Sequence, residues 1–206
     1  MTGKDYIDSI SSDQKILIIG NKPLTKDYSE YLKSLNYDII VRVNQAKNYN
    51  KTKIKTDIIL ADIWGDLVYQ EFKSLSYYEE ILNDCSCILN FKQYAHSHWI
   101  INYTWNSISN DKVYSIEYES IKDYIKFYIS EYNYDGKLGY RITNSLWTIL
   151  YMMSMFPNNK IGIFAIDKDN RIFNNQQGGH KNIGKFEEKF LNEQILLKRL
   201  EYYLSE

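Results

Sequence analysis

Lys15-Ile16-Leu17-Ile18-Ile19-Gly20-Asn21-Lys22-Pro23 is an unbroken apolar run that stops in turn chemistry. A strand with one wet face would alternate apolar and polar residues. This Ile-rich run does not, and so reads as a strand buried on both faces, the habit of parallel sheets. Thr25 can cap the next segment, Lys26 to Leu35, where Tyr28, Tyr31, Leu32 and Leu35 fall at helical spacing. A strand, a tight turn and a helix therefore open the chain.

The same alternation continues outward. Asp38 to Val43, Asp57 to Ala61, Ser86 to Phe91, Lys112 to Tyr118 and Lys160 to Ile166 read as further strands. Leu67 to Leu82, Tyr94 to Ser107 and Ser120 to Tyr132 carry looser helical patterns, and Thr143 to Phe156 is a long helix closed by Pro157. Asp167 to Gly179 is polar and reads with the next few residues, to 183, as a mobile loop beside a site. From about Gly184 to Leu204 a helix resumes. The expected class is α/β, a wound parallel sheet with helices on both faces.

At 206 residues the chain can bury one full core, so a single domain over 1–206 is expected. Its 25 Lys and Arg balance 26 Asp and Glu, which excludes a strong field for nucleic acid or anionic membrane. Met1 to Gln14 is polar and no window has the apolar length of a membrane span; a soluble, cytoplasmic protein is the expectation. Cys85 and Cys87, at the start of an expected strand, read as reduced packing residues. The 20 tyrosines can line a sugar-binding surface or cover core edges.

In an open parallel sheet ligands collect beyond the carboxyl ends of the strands, which makes Gly20-Asn21-Lys22 the natural place for a phosphate or ribose. Gly20 lets backbone approach closely, and Asn21 offers both donor and acceptor. Asn44 would reach the same edge if the second strand neighbours the first, or would merely close a turn. Arg141-Ile142-Thr143-Asn144 opens the longest apolar helix, either as an anion clamp or as a plain cap beside a solvated Arg141. His180, after Gly178-Gly179, is placed for a general base or for solvent. His96 and His98 lack a third metal ligand. Asp167-Lys168-Asp169 has the DxD form that holds manganese in many nucleotide-sugar transferases, and Asp62 and Asp66 add carboxylates at a strand end.

Taken in order, Ile18 to Pro23, Arg42-Val43-Asn44-Gln45, Arg141 to Asn144, Ile166-Asp167 and Gly179-His180-Lys181-Asn182 resemble the bacterial sialyltransferases of glycosyltransferase family 42. They also look like the large, small and terminal sialylmotifs of the animal-type family 29. The resemblance spans about residues 15 to 200; about 65 to 139 match only in general character. It implies a Rossmann-like variant of the GT-A fold and inverting transfer of sialic acid, or a related sugar, from a CMP-activated donor to a glycan hydroxyl. No cofactor is required on this reading, and a divalent metal is allowed but not favoured. Carried over, Gly20, Asn21, Lys22, Asn44, Asp62, Thr143, Asn144 and Asp167 contact or shape the donor site, Arg141 joins them, and His180 is the general base.

The chain departs from the family in places. Where the family turn reads GNGPS, Lys22 and Leu24 replace the second glycine and the serine; Lys22 could itself neutralise phosphate. Asp62 stands where the family often has Asn, and a negative charge there needs a partner. The tyrosines that follow the Ile-Asp pair have no match, with Lys168, Arg171 and Phe173 nearby. The membrane anchor and motif-linking disulfide of animal-type enzymes are missing. Two alternatives stand beside this reading: a metal-dependent transferase using Asp167 and Asp169 on another nucleotide sugar, and a degenerate nucleotide- or glycan-binding module. The sequence leaves acceptor, linkage and oligomeric state open.

Overall fold

The four residues of β1, Ile16–Ile19, are all buried, as their uniform apolar character requires. A computed structural model describes residues 1–44, 46–62, 76–92, 111–117, 143–166 and 181–203. Around β1 lie β2 (Ile39–Val43), β3 (Ile58–Asp62), β4 (Cys87–Lys92), β5 (Val113–Glu117), β6 (Ile161–Phe164) and β7 (Glu201–Tyr203). All pair in parallel in one seven-stranded sheet of order β5-β4-β3-β2-β1-β6-β7.

Helices cover both faces. Alternate side chains from β1 to β4 and β6, among them Ile16, Ile18, Val41, Leu60, Leu89 and Ile163, face one cluster, shared with α1 (Gly3–Asp8), α5 (Asn144–Met155) and α6 (Lys181–Leu196). The remaining ones, Leu17, Ile19, Ile40, Ile59 and Ile88, face α2 (Ser29–Ser34), α3 (Tyr49–Thr52) and α4 (Tyr78–Asp84) in two further clusters. Parallel crossovers are right-handed, so a chain winding outward from β1 in both directions must place its helices on opposite sides. Cys87 belongs to the first face and Cys85 to the second, both free and buried. Burial pushes the Cys85 thiol up to about 11 and Cys87 higher still, which keeps both unreactive.

Several local expectations are corrected. Helix α2 starts at Ser29, not after Thr25, because the Asp27 carboxylate accepts from the Ser29 N–H at 2.7 Å and from its hydroxyl at 2.6 Å. The last helix does not run to Leu204: it ends at Leu196, and Glu201–Tyr203 becomes an edge strand. It also starts earlier, so residues 181 to 183 are its first turn and not loop. Helix α1 was hidden in a polar N-terminus; a capping box between Thr2 and Asp5 starts it. The helical patterns of Tyr94 to Ser107 and Ser120 to Tyr132, most of Leu67 to Leu82, and the polar run from Asp167 to His180 lie outside the described residues.

Candidate functional site

Strand order reverses at β1: the chain steps one way through β2 to β5 and the other way through β6 and β7. The crevice beyond the carboxyl ends of β1 and β6 is therefore the topological switch point, where open α/β sheets bind ligands. Gly20-Asn21-Lys22 sits there. The Gly20 N–H donates to the Phe164 carbonyl at 2.9 Å and the Lys22 N–H to the Ala165 carbonyl at 3.0 Å, so the turn folds across the end of β6. A methyl group on Gly20 would run into the Ala165 carbonyl and come within 2.5 Å of Ile166 Cγ1. Only glycine fits this approach.

The same turn is tied to the end of β2. Ile19 and Arg42 are register partners, which satisfies the condition for Asn21 and Asn44 to share an edge. Asn21 Nδ2 donates to the Val43 carbonyl at 3.0 Å, and Asn21 Oδ1 accepts from the Lys47 N–H at 3.0 Å. Asn44 follows with a positive φ of 51°, its N–H on the Leu60 carbonyl at 2.7 Å. Ala46 and Ala165 also have positive φ, 51° and 53°. Three non-glycine residues in left-handed backbone thus flank one turn, a concentration of strain typical of binding sites. Asp62, the last residue of β3, ends on this edge too.

Helices α5 and α6 each lead into a strand that begins at the opposite edge, so their amino ends lie on the carboxyl side of the sheet. Thr143 caps α5, its hydroxyl oxygen accepting from the Leu146 N–H at 3.3 Å. Its own N–H and O–H both donate to Glu187 of α6, at 2.5 and 2.8 Å, and the Glu187 carboxylate is fully buried. The sequence offered clamp or cap for this helix start. Thr143 is a cap, and its N–H and hydroxyl are taken up by the chain's own Glu187 side chain. Arg141, Asp167 and His180 lie outside the described residues, as do His96, His98, Asp66 and Asp169; Lys181, next to His180, opens α6. Among the described residues no group of three or more His, Cys, Asp or Glu gathers to hold a metal.

The fold is similar to that of sialyltransferases. A mammalian sialyltransferase in complex with Gal-beta-1-3GalNAc-ortho-nitrophenol matches with a TM-score of 0.63 at 13% identity, over 94% of this chain and 70% of that one. The Campylobacter jejuni sialyltransferase CstII in complex with the substrate analogue CMP-3FNeuAc matches with a TM-score of 0.52 at 18% identity, over 93% and 80%. The sialyltransferase CST-II with trisaccharide acceptor and CMP gives 0.54 at 16% identity, over 93% and 81%. No protein-family model matches the chain, and no curated protein matches it in sequence.

On this sialyltransferase-like fold, two residues at the site escaped the sequence reading. Glu187 is one. The other is Asn48, only 3% exposed, whose Nδ2 donates to the Gly20 carbonyl at 2.8 Å and to the Lys22 carbonyl at 2.7 Å. Arg42, between the two clusters of the second face, is fully buried. Its Nε donates to Thr56 Oγ1 at 2.7 Å, its Nη2 to the Ile54 carbonyl at 3.2 Å, and the guanidinium lies 5.0 Å from the Tyr49 ring centroid. Burial pushes its pKa down to about 10, so it stays charged at neutral pH and pins the crossover from β2 to β3. A cleft of about 720 Å³ opens at the opposite edge of the sheet, between Met153, Phe156, Lys160, Lys198 and Glu201; no candidate site residue lines it. No described helix is long and apolar enough to cross a membrane.

Proposed function

We propose that the chain is a sialyltransferase-like glycosyltransferase that takes sialic acid or a related sugar from a CMP-activated donor to a glycan hydroxyl, with inversion. The observation that carries this reading is the Gly20-Asn21-Lys22 turn at the β1/β6 switch point of a fold shared with sialyltransferases. Asn21 and Asn44 meet the donor's phosphate and ribose, Lys22 adds a cation, and Asp62 and Asp167 border the pocket. Thr143 contributes by fixing the helix start from which Asn144 and the nearby Arg141 reach the donor, since its hydroxyl is committed to Glu187. His180, just before α6, removes the acceptor proton, which an imidazole can do near neutral pH. Amide donors and a cation hold the departing phosphate. No metal is needed for this chemistry.

Calorimetric titration tests the donor. CMP is expected to bind and UDP and GDP to bind far more weakly; binding of a UDP- or GDP-sugar without CMP binding would replace this donor class. Substitution His180→Ala tests the base. Turnover is expected to fall by roughly 100-fold or more with CMP affinity retained; unchanged turnover would remove His180 from the mechanism.

A further inference from the structure

We infer that Asn48 is a positioning residue that sets the nucleotide-facing conformation of the Gly20-Lys22 turn, an inference that rests on the donor reading above for its ligand. Both hydrogens of one buried amide nitrogen are spent on the turn, one on each carbonyl that flanks Asn21. In a trans peptide the carbonyl and the following N–H point in opposite directions. No cis peptide occurs among the described residues. Pulling the Gly20 carbonyl onto Asn48 therefore turns the Asn21 N–H the other way, out of the core. The Lys22 N–H is already spent on Ala165, the Gly20 N–H on Phe164, and Pro23 has none. Among the described residues nothing accepts from the Asn21 N–H. The turn is thus no multi-donor cradle. It presents one backbone donor, beside a second Asn21 amide hydrogen, and Asn48 aims it.

Asn48 is itself fixed: its carbonyl accepts from Thr52 Oγ1 at 2.8 Å, and Thr52 is fully buried. An anionic ligand at the switch point then meets a donor whose direction is set before binding, so little ordering cost remains. Loss of the clamp frees the peptide to rotate without removing any group that touches the ligand.

The test combines CMP calorimetry, thermal melting and amide hydrogen exchange over residues 16–24. Asn48→Ala is expected to weaken CMP binding about tenfold, to speed exchange in that segment and to leave the rest of the chain protected. Asn48→Asp adds a pH signature, because an ionised carboxylate has no donor and a protonated one has a single O–H. The ratio of its CMP Kd to that of the wild type should fall as pH is lowered from 8 to 5. Thr56→Val, which removes an Arg42 bond from the same crossover, should lower Tm and leave CMP affinity unchanged. Wild-type CMP affinity in both Asn48 variants would overturn the inference and spare the donor reading. A wild type that ignores CMP would sink the donor reading instead; exchange in the apo protein then decides, with faster exchange confined to 16–24 upholding the clamp and unchanged or globally faster exchange overturning it. If Asn48→Ala does not fold, Asn48→Asp at the two pH values makes the same comparison.

Discussion

Single atoms decide the geometry at Gly20. Any side chain there must displace both the Ala165 carbonyl and Ile166, which lie buried just beyond β6. Gly20→Ala is therefore expected to cost about 1–3 kcal/mol through overpacking, read as a lower urea midpoint, and to weaken CMP binding because the turn shifts off β6. A stability and affinity equal to wild type would show that β6 can retreat. A close approach at Gly20 was legible in the Gly-Asn turn, but as the approach of a ligand; the group that comes close is the chain's own Ala165-Ile166 segment. Asn48 was not legible. Its two partners precede it by 28 and 26 residues, no periodicity marks it, and in a stretch holding Asn44, Asn48 and Asn50 one more amide carries no signal. Arg42 was read only as part of a motif; its burial beneath a crossover depends on Thr56 and Tyr49 arriving from later in the chain.

At the scale of elements, α5 and α6 are joined by the Glu187 carboxylate on Thr143. Glu187→Ala leaves the half-buried N–H and hydroxyl of Thr143 without their acceptor and should destabilise the protein by about 1 kcal/mol or more. Glu187→Gln, which keeps one acceptor, should lose less; equal losses in the two variants would mean that packing and not hydrogen bonding holds the helices. The existence and type of the inner strands β1 to β4 and β6 could be read from composition because strands buried on both faces are largely apolar. In the edge strand β5, Ile116 is buried and Val113 to Ser115 are half-buried. The end of α6 could not be read in this way. Leu197 and Leu200 continue a helical spacing, yet Lys198 takes φ 56° and closes a Schellman turn, with the Lys198 N–H on Ile195 at 3.0 Å and the Arg199 N–H on Gln194 at 2.9 Å. Glycine usually marks that position, and lysine conceals it.

Across the whole molecule, β7 is held at the sheet edge by a polar knot. The Tyr37 hydroxyl donates to Glu201 at 2.8 Å, the Tyr203 hydroxyl donates to the same oxygen at 2.5 Å, and Lys160 pairs with the other oxygen at 2.7 Å. Burial by itself would raise the Glu201 pKa, but Lys160, Tyr203 and Tyr37 together hold it below its ordinary 4.5. A depressed carboxylate stabilises the fold above its unfolded pKa and loses that contribution as pH falls through the folded one. Tm should thus drop more between pH 6 and pH 3 in the wild type than in Glu201→Gln, by a few degrees; parallel profiles would show that the knot adds nothing. The knot spans residues 37 to 203, a closure that only the finished sheet reveals.

The sheet order also sets a timetable. The central strand β1 emerges first in synthesis, but one of its two neighbours is β6, and both anchoring carbonyls of the Gly20 turn, Phe164 and Ala165, belong to that late segment. At about 5–20 residues per second, the interval between the two strands is on the order of ten seconds. Through that interval the nascent chain carries a bare hydrophobic strand edge, open to pairing with other chains. A ribosome-stalled fragment ending before Lys160 would expose this edge to chaperones and leave the Gly20 turn without its anchors at Phe164 and Ala165.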